Sequence, residues 1–153
     1  MSRPATALAA PAFVLAMLAV ATAGYIWLPR ADVRLPLVEA CRLDRQTCST
    51  ALPEGGSLEM TLEPRPVPSS APVRVSVVLR GLQPGRVDVD FQGVEMNMGL
   101  HRLSLVDRGG GRYAGETTLP VCVTGKMVWQ ATVRLEAGRK DITVPFRCES
   151  GHA

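Results

Sequence analysis

Residues 127–135, MVWQATVRL, identify the fold class, because apolar and polar residues alternate from Trp129 to Leu135 and Met127 continues the apolar series. Such a period of two is typical of a strand with one buried and one solvated face. The same alternation recurs in residues 58–62, 73–79, 87–91, 101–105 and 142–148. No stretch after Pro29 keeps the 3.6-residue period of a helix. The pattern predicts an all-β fold, an immunoglobulin-like β-sandwich of about seven strands, over residues 56–149.

The alternation also assigns side chains to faces. Met60 and Trp129 fall on the apolar side of their strands, so we expect both in the core. Asp88 and Asp90 fall on the opposite side, where a solvated carboxylate is the usual outcome.

The N-terminal residues 5–28 are almost continuously apolar, with Arg3 before them and Tyr25 and Trp27 near their end. A run of about 20 apolar residues predicts a transmembrane helix within residues 1–29. The small residues 21–23 leave a cleaved signal peptide as the alternative. Because the run continues through Leu28, we favour an uncleaved anchor. The expected location is the bacterial inner membrane, single-pass, with the C-terminal domain in the periplasm, and residues 30–55 as a connecting segment.

Composition excludes several functional classes. The net charge is +3, from 17 basic and 14 acidic residues, and aromatic residues make up 5% of the chain. The basic residues are scattered among carboxylates, so we expect no nucleic-acid partner. The sequence contains no GxSxG, HExxH or phosphate-binding loop. We therefore predict that the protein is not an enzyme.

Four cysteines follow the apolar run. An even number of cysteines in an exported chain indicates disulfides. Cys41 and Cys48 close a short loop that is sterically easy to bridge, and we predict this disulfide. Spacing does not settle the second pair: Cys122 is either bonded to Cys148 or a free thiol that could bind a metal.

Residues 95–101, EMNMGLH, hold the strongest chemical signal. Thioethers select Cu(I), and imidazole also suits copper. The side-chain parity changes at Gly93, which indicates a β-bulge, and we expect both methionine sulfurs on the same side of one strand. If residues 95–101 and 120–127 lie at one end of the sandwich, the predicted Cu(I) ligands are Met96, Met98, His101, Met127 and Cys122. The alternative is that the methionines only fill the core.

The segments 91–99 (FQGVEMNMG), 119–123 (LPVCV) and 127–131 (MVWQA) resemble a known family of small proteins. These are the membrane-anchored periplasmic β-sandwich proteins of the FixH-type and YtkA-like families, and the resemblance covers roughly residues 40–147. It implies copper handling and cytochrome oxidase assembly at the outer face of the inner membrane. The partners so implied are the inner membrane and a respiratory oxidase or another copper-handling protein.

Two functions follow from these observations. One is a membrane-tethered Cu(I)-binding protein, acting as a copper chaperone or oxidase assembly factor. The other is a metal-free immunoglobulin-like interaction module or an accessory subunit of an inner-membrane complex. They differ in whether the methionine sulfurs converge and remain accessible.

Overall fold

The computed structural model describes residues 9–27, 31–97, 99–120 and 125–151. The chain forms two compact units, Met1–Arg30 and Ala31–Ala153. The described part of the first unit is one helix, α1 (Ala9–Trp27), of 19 residues. The described part of the second unit consists of β-strands and one short 3-10 helix, Pro53–Gly55.

The prediction of a single-pass membrane anchor is wrong. Within the described ranges, no helix combines the length and the apolar character that crossing a bilayer requires. The inner-membrane, periplasm-facing location inferred from that anchor is therefore contradicted.

The described part of the second unit contains 11 strands, more than the predicted seven. They are β1 (Ala31–Arg34), β2 (Cys48–Ala51), β3 (Ser57–Glu63), β4 (Val67–Pro68), β5 (Pro72–Arg80), β6 (Arg86–Gly93), β7 (Leu100–Ser104), β8 (Val106–Asp107), β9 (Arg112–Thr118), β10 (Lys126–Ala137) and β11 (Lys140–Gly151). The extra strands have two to four residues, too few for the alternation to be recognised.

Two sheets enclose one core. The first sheet has the order β1-β11-β10-β6-β7, with β4 also paired to β11, and the second has the order β2-β3-β5-β9-β8. Both sheets contribute fully buried side chains, among them Trp129 and Phe91 from the first and Met60 and Leu62 from the second. The all-β, two-sheet architecture and the core placement of Met60 and Trp129 are confirmed.

Residues 31–55 also contribute strands to the two sheets. Strand β1 runs parallel to β11, and β2 runs antiparallel to β3. Between them the predicted disulfide is confirmed: Cys41 and Cys48 are bonded, with their Cα atoms 5.7 Å apart. Leu43, inside this loop, is fully buried. The loop is therefore fixed to the core by both a covalent bond and apolar burial.

The expectation of a solvated face at Asp88 and Asp90 is wrong. The two residues are only 5% and 7% exposed. Arg102 donates from Nε and Nη2 to Asp90, at 2.7 and 3.0 Å, and Arg134 lies 3.6 Å away. Arg86 lies 2.9 Å from Asp88. Both carboxylates do lie on the outer side of the sheet, but guanidinium groups cover them, that of Arg86 from the same strand and those of Arg102 and Arg134 from neighbouring strands.

Arg102→Met should lower the melting temperature by several degrees, because it leaves the buried Asp90 carboxylate without its bidentate partner. Arg34→Met is the matched control, since Arg34 pairs with the well-exposed Asp32. Thermal unfolding of both variants followed by circular dichroism makes the comparison. Equal melting temperatures would show that burial of Asp90 does not depend on Arg102.

Candidate metal site

The predicted strand through Met96 is instead a hairpin loop. Strand β6 ends at Gly93, β7 begins at Leu100, and Gln92 pairs with Leu100. The amide of Val94 donates to the carbonyl of Val128 at 3.0 Å, after which the chain leaves the sheet. Met96 therefore does not occupy a strand position, and its spacing along a strand was predicted wrongly. Met98 lies outside the described residues.

Gly93 explains why the chain turns at this point. A Cβ atom there would collide with the Met127 methyl group and the Met96 carbonyl oxygen. A glycine in a strand often marks such a close approach. The switch of apolar residues from odd to even positions at Gly93 thus reflects the end of strand β6 and not a bulge within a longer strand.

Met127 is the first inward-facing residue of β10 and is 3% exposed. Its methyl group occupies the space that the absent side chain of Gly93 leaves open. Gly93 itself lies opposite Trp129, two residues beyond Met127. This register places the start of β10 at the same end of the first sheet as the loop 94–99.

His101 lies on β7 opposite Phe91. Its ring packs edge-on against Trp129, with centroids 6.1 Å apart and an interplanar angle of 75°. The Nε2 atom of His101 is buried and finds no hydrogen-bond partner in the described part of the chain. An unpaired buried polar atom is costly, and it is uncommon in native proteins. This nitrogen is therefore the strongest indication that something else binds here.

Three of the five predicted ligand residues thus lie at the same end of the first sheet, and the other two are outside the described residues. Met96, His101 and Met127 belong to elements that meet at one end of the first sheet. Met96 is 46% exposed, in contrast to the buried Met127. Met98 and Cys122 lie outside the described residues. Among the residues described, there is no group of three or more His, Cys, Asp or Glu side chains suited to a metal ion.

Ser150 is a hydrogen-bond partner of Trp129 that the sequence analysis did not identify. Its hydroxyl accepts a hydrogen bond from Trp129 Nε1 at 2.9 Å, and both side chains are fully buried. The inward-facing residues of β11 have even numbers, and continuing this series from Cys148 to Ser150 would have placed Ser150 in the core. The bond fixes the indole against which His101 packs.

Cys148 lies opposite Trp129 on β11 and is a free, fully buried thiol. Burial first, and then the nearby Asp44 carboxylate, raise its pKa to about 12, against the opposing effect of the Arg42 guanidinium. A thiol with so high a pKa holds very little thiolate at neutral pH. Cys148 is therefore a poor nucleophile and a poor metal ligand as long as the fold is intact.

Cys148 should resist alkylation by iodoacetamide at pH 8 in the folded protein and react fully in denaturant, as mass spectrometry can show. Stability should also fall as pH rises from about 9 to about 12, since only the unfolded state releases the thiol proton in that window. Cys148→Ala should remove that part of the pH dependence. Fast alkylation of the native protein would contradict the burial.

No protein-family model matches the sequence, and no curated protein matches it either. Among solved structures, the chain is similar to a DUF4785 family protein from Legionella pneumophila subsp. pneumophila str. Philadelphia 1, at 15% identity and a TM-score of 0.45. The match covers 63% of this chain and spans 29% of the Legionella protein.

Proposed function

We propose that this protein binds Cu(I) at the end of the first sheet where the loop 94–99 meets the start of β10. The observation that carries the proposal is His101 Nε2, a buried nitrogen with no partner among the described residues. A thioether-bearing loop and the buried Met127 lie at the same end. Imidazole and thioether are donors that copper accepts, and thioethers favour Cu(I) in particular.

The proposed ligands are Met96, His101 and Met127, together with Met98 and Cys122. The last two are assigned from sequence position alone, since Met98 lies two residues after Met96 and Cys122 lies five residues before Met127. This set contains more soft donors than a Cu(I) ion needs. Variants will decide which of them bind.

A role in copper delivery is supported by the difference in exposure between Met96 and Met127, the two described methionines of the proposed ligand set. Met127 is 3% exposed and Met96 is 46% exposed. A buried donor can retain the ion, while an accessible donor can be reached by a receiving protein. The family resemblance suggests a respiratory oxidase or another copper-handling protein as the recipient, with this chain as chaperone or assembly factor.

The direct test is an anaerobic titration of the full chain with Cu(I) in competition with a chromophoric chelator. We expect one Cu(I) per chain and far weaker binding of Cu(II). Affinity should fall partly at acidic pH, because imidazole and thiolate take up protons whereas thioethers do not. Failure to withdraw Cu(I) from the chelator at any pH would contradict the proposal.

A second candidate, a metal-free immunoglobulin-like interaction module, is favoured by one observation. Val94, Met96 and Leu100, all in or beside one hairpin loop, are 42%, 46% and 57% exposed. Exposed apolar residues grouped in this way are typical of protein contact sites. Leu100→Ser separates the two candidates: it should leave Cu(I) affinity unchanged if copper is the ligand, yet abolish partner binding if the loop is a docking surface.

A further inference from the structure

An apolar cavity lies at the end of the sandwich opposite the proposed copper site. It has a volume of about 250 Å³. Its walls include Val33 on β1, Leu82 between β5 and β6, and Ala137 and Ile142 beside the turn that joins β10 to β11. Ala137 ends β10 whereas Met127 lies near its start, so the cavity and the copper site are at opposite ends of that strand.

The cavity exists because small side chains occupy the last inward-facing row of the first sheet. The row before it is large and apolar, and its residues, aligned across β1, β11 and β10, are Val33, Ile142 and Leu135. Two residues further along each strand, on the same face, the aligned residues are Ala31, Lys140 and Ala137. Two alanines beside a lysine do not fill the space that the larger apolar side chains fill in the preceding row.

Connecting segments supply the opposite wall. Pro53 lies in the 3-10 helix between β2 and β3, two strands of the second sheet, and Leu82 lies in the segment that leads from β5 to β6. Leu82 packs against the core and is still partly exposed. The cavity therefore lies between the two sheets at their end, and its apolar wall can be reached from solvent.

Basic side chains stand at the mouth of this cavity. Arg139 and Lys140 are the charged residues among the described residues that line it. The carboxylates beside them in sequence, Glu136 and Asp141, are aligned in the intervening row and so face the outer side of the sheet. A lysine stem can pack along an apolar wall while its ammonium group stays in water. The cavity thus combines an apolar interior with a cationic rim.

We propose that the cavity binds a medium-chain aliphatic carboxylate, with the chain between the sheets and the carboxylate at Lys140 and Arg139. The apolar walls favour the chain, and the two cations favour an anionic head group. The described walls contain no aromatic ring on which a flat ligand could stack. The volume lies below the range of about 300–1,000 Å³ for drug-sized ligands, so it suits a short chain and not a whole lipid.

The test is isothermal titration calorimetry of the full chain with sodium octanoate. Two analogues separate the contributions of the chain and the head group: hexanoate lacks two methylene groups, and octylamine carries the opposite charge. We expect saturable binding of octanoate, roughly tenfold weaker binding of hexanoate, and binding of octylamine that is weaker by about tenfold or more. No saturable binding of octanoate, or equal binding of either analogue, would overturn the proposal.

Variants localise the site. Lys140→Met keeps an apolar stem without the charge and should weaken octanoate binding by about tenfold. Lys126→Met is the matched control, since Lys126 is the other lysine of the chain and begins β10 at its opposite end. Leu82→Trp should abolish binding by filling the cavity, and Ala137→Leu replaces it if melting curves show that Leu82→Trp unfolds. Unchanged octanoate affinity in folded Lys140→Met, or in the folded cavity-filling variant, would refute the assignment.

Discussion

Replacing Trp129 by alanine should destabilise the sandwich by about 3–5 kcal/mol, the range for truncating a buried aromatic side chain. Trp129 is fully buried in the core. It donates a hydrogen bond to Ser150 at 2.9 Å and packs edge-on against His101. The variant therefore loses apolar contacts, a hydrogen bond and the support of the His101 ring. Urea denaturation followed by circular dichroism measures the loss.

Two further variants serve as controls for this result. Trp129→Phe keeps an aromatic ring but removes the bond to Ser150, so its effect should be smaller than that of alanine. Val106→Ala, at a position that is 56% exposed, should leave stability nearly unchanged. If Trp129→Ala cost no more than Val106→Ala, the packing described around Trp129 would be incorrect.

Removing the Cys41–Cys48 disulfide should destabilise the protein by about 2–3 kcal/mol, the chain-entropy value for so short a loop. The two cysteines are separated by 7 positions. The loop between them also inserts Leu43 into the core and supplies Asp44, whose carboxylate accepts from the Glu149 amide at 3.0 Å. The double variant Cys41→Ala/Cys48→Ala, unfolded in urea, measures the loss.

Reduction of the wild-type protein provides the control. Dithiothreitol should lower the wild-type unfolding free energy toward that of the double variant and leave the double variant itself unchanged. The cross-link would be structurally unimportant if the double variant unfolded at the wild-type urea concentration.

The larger strands could be predicted because each has one buried and one polar face. In β5 and β10, buried and less buried residues alternate along the strand as the apolar pattern requires. Strands β1 and β2 have four residues each, which is too short to establish a period. Their position depends on pairing with β11 and β3, which a local pattern does not encode.

Charged residues show a different limit of sequence reasoning. Alternation correctly placed Asp88 and Asp90 on the outer side of β6, but their burial depends on Arg86 nearby and on Arg102 and Arg134 from other strands. The side of a strand is a local property, whereas exposure depends on which side chains the sheet brings alongside.

The sequence predicted which residues lie near one another better than it predicted their arrangement. Met96, His101 and Met127 belong to elements that meet at one end of the sheet, as the sequence suggested. Met96, however, lies in a loop because Gly93 lets the chain pass close to Met127. When the apolar residues switch from odd to even positions at a glycine, the sequence is compatible with either a β-bulge or the end of a strand. The pairing of β6 with β7 and β10 shows which of the two is present.

The most direct test of the copper proposal compares the Cu(I) affinity of the wild-type protein with that of a variant in which Met96, Met98 and Met127 are leucine. Leucine nearly conserves volume and apolarity, so each change should cost less than about 1.5 kcal/mol of stability. Met60→Leu is the control, since Met60 is equally apolar but buried on the second sheet. We predict that the triple variant stays folded and binds Cu(I) at least about tenfold more weakly, while Met60→Leu binds like wild type. A folded triple variant with wild-type Cu(I) affinity would show that these methionines are packing residues and not ligands.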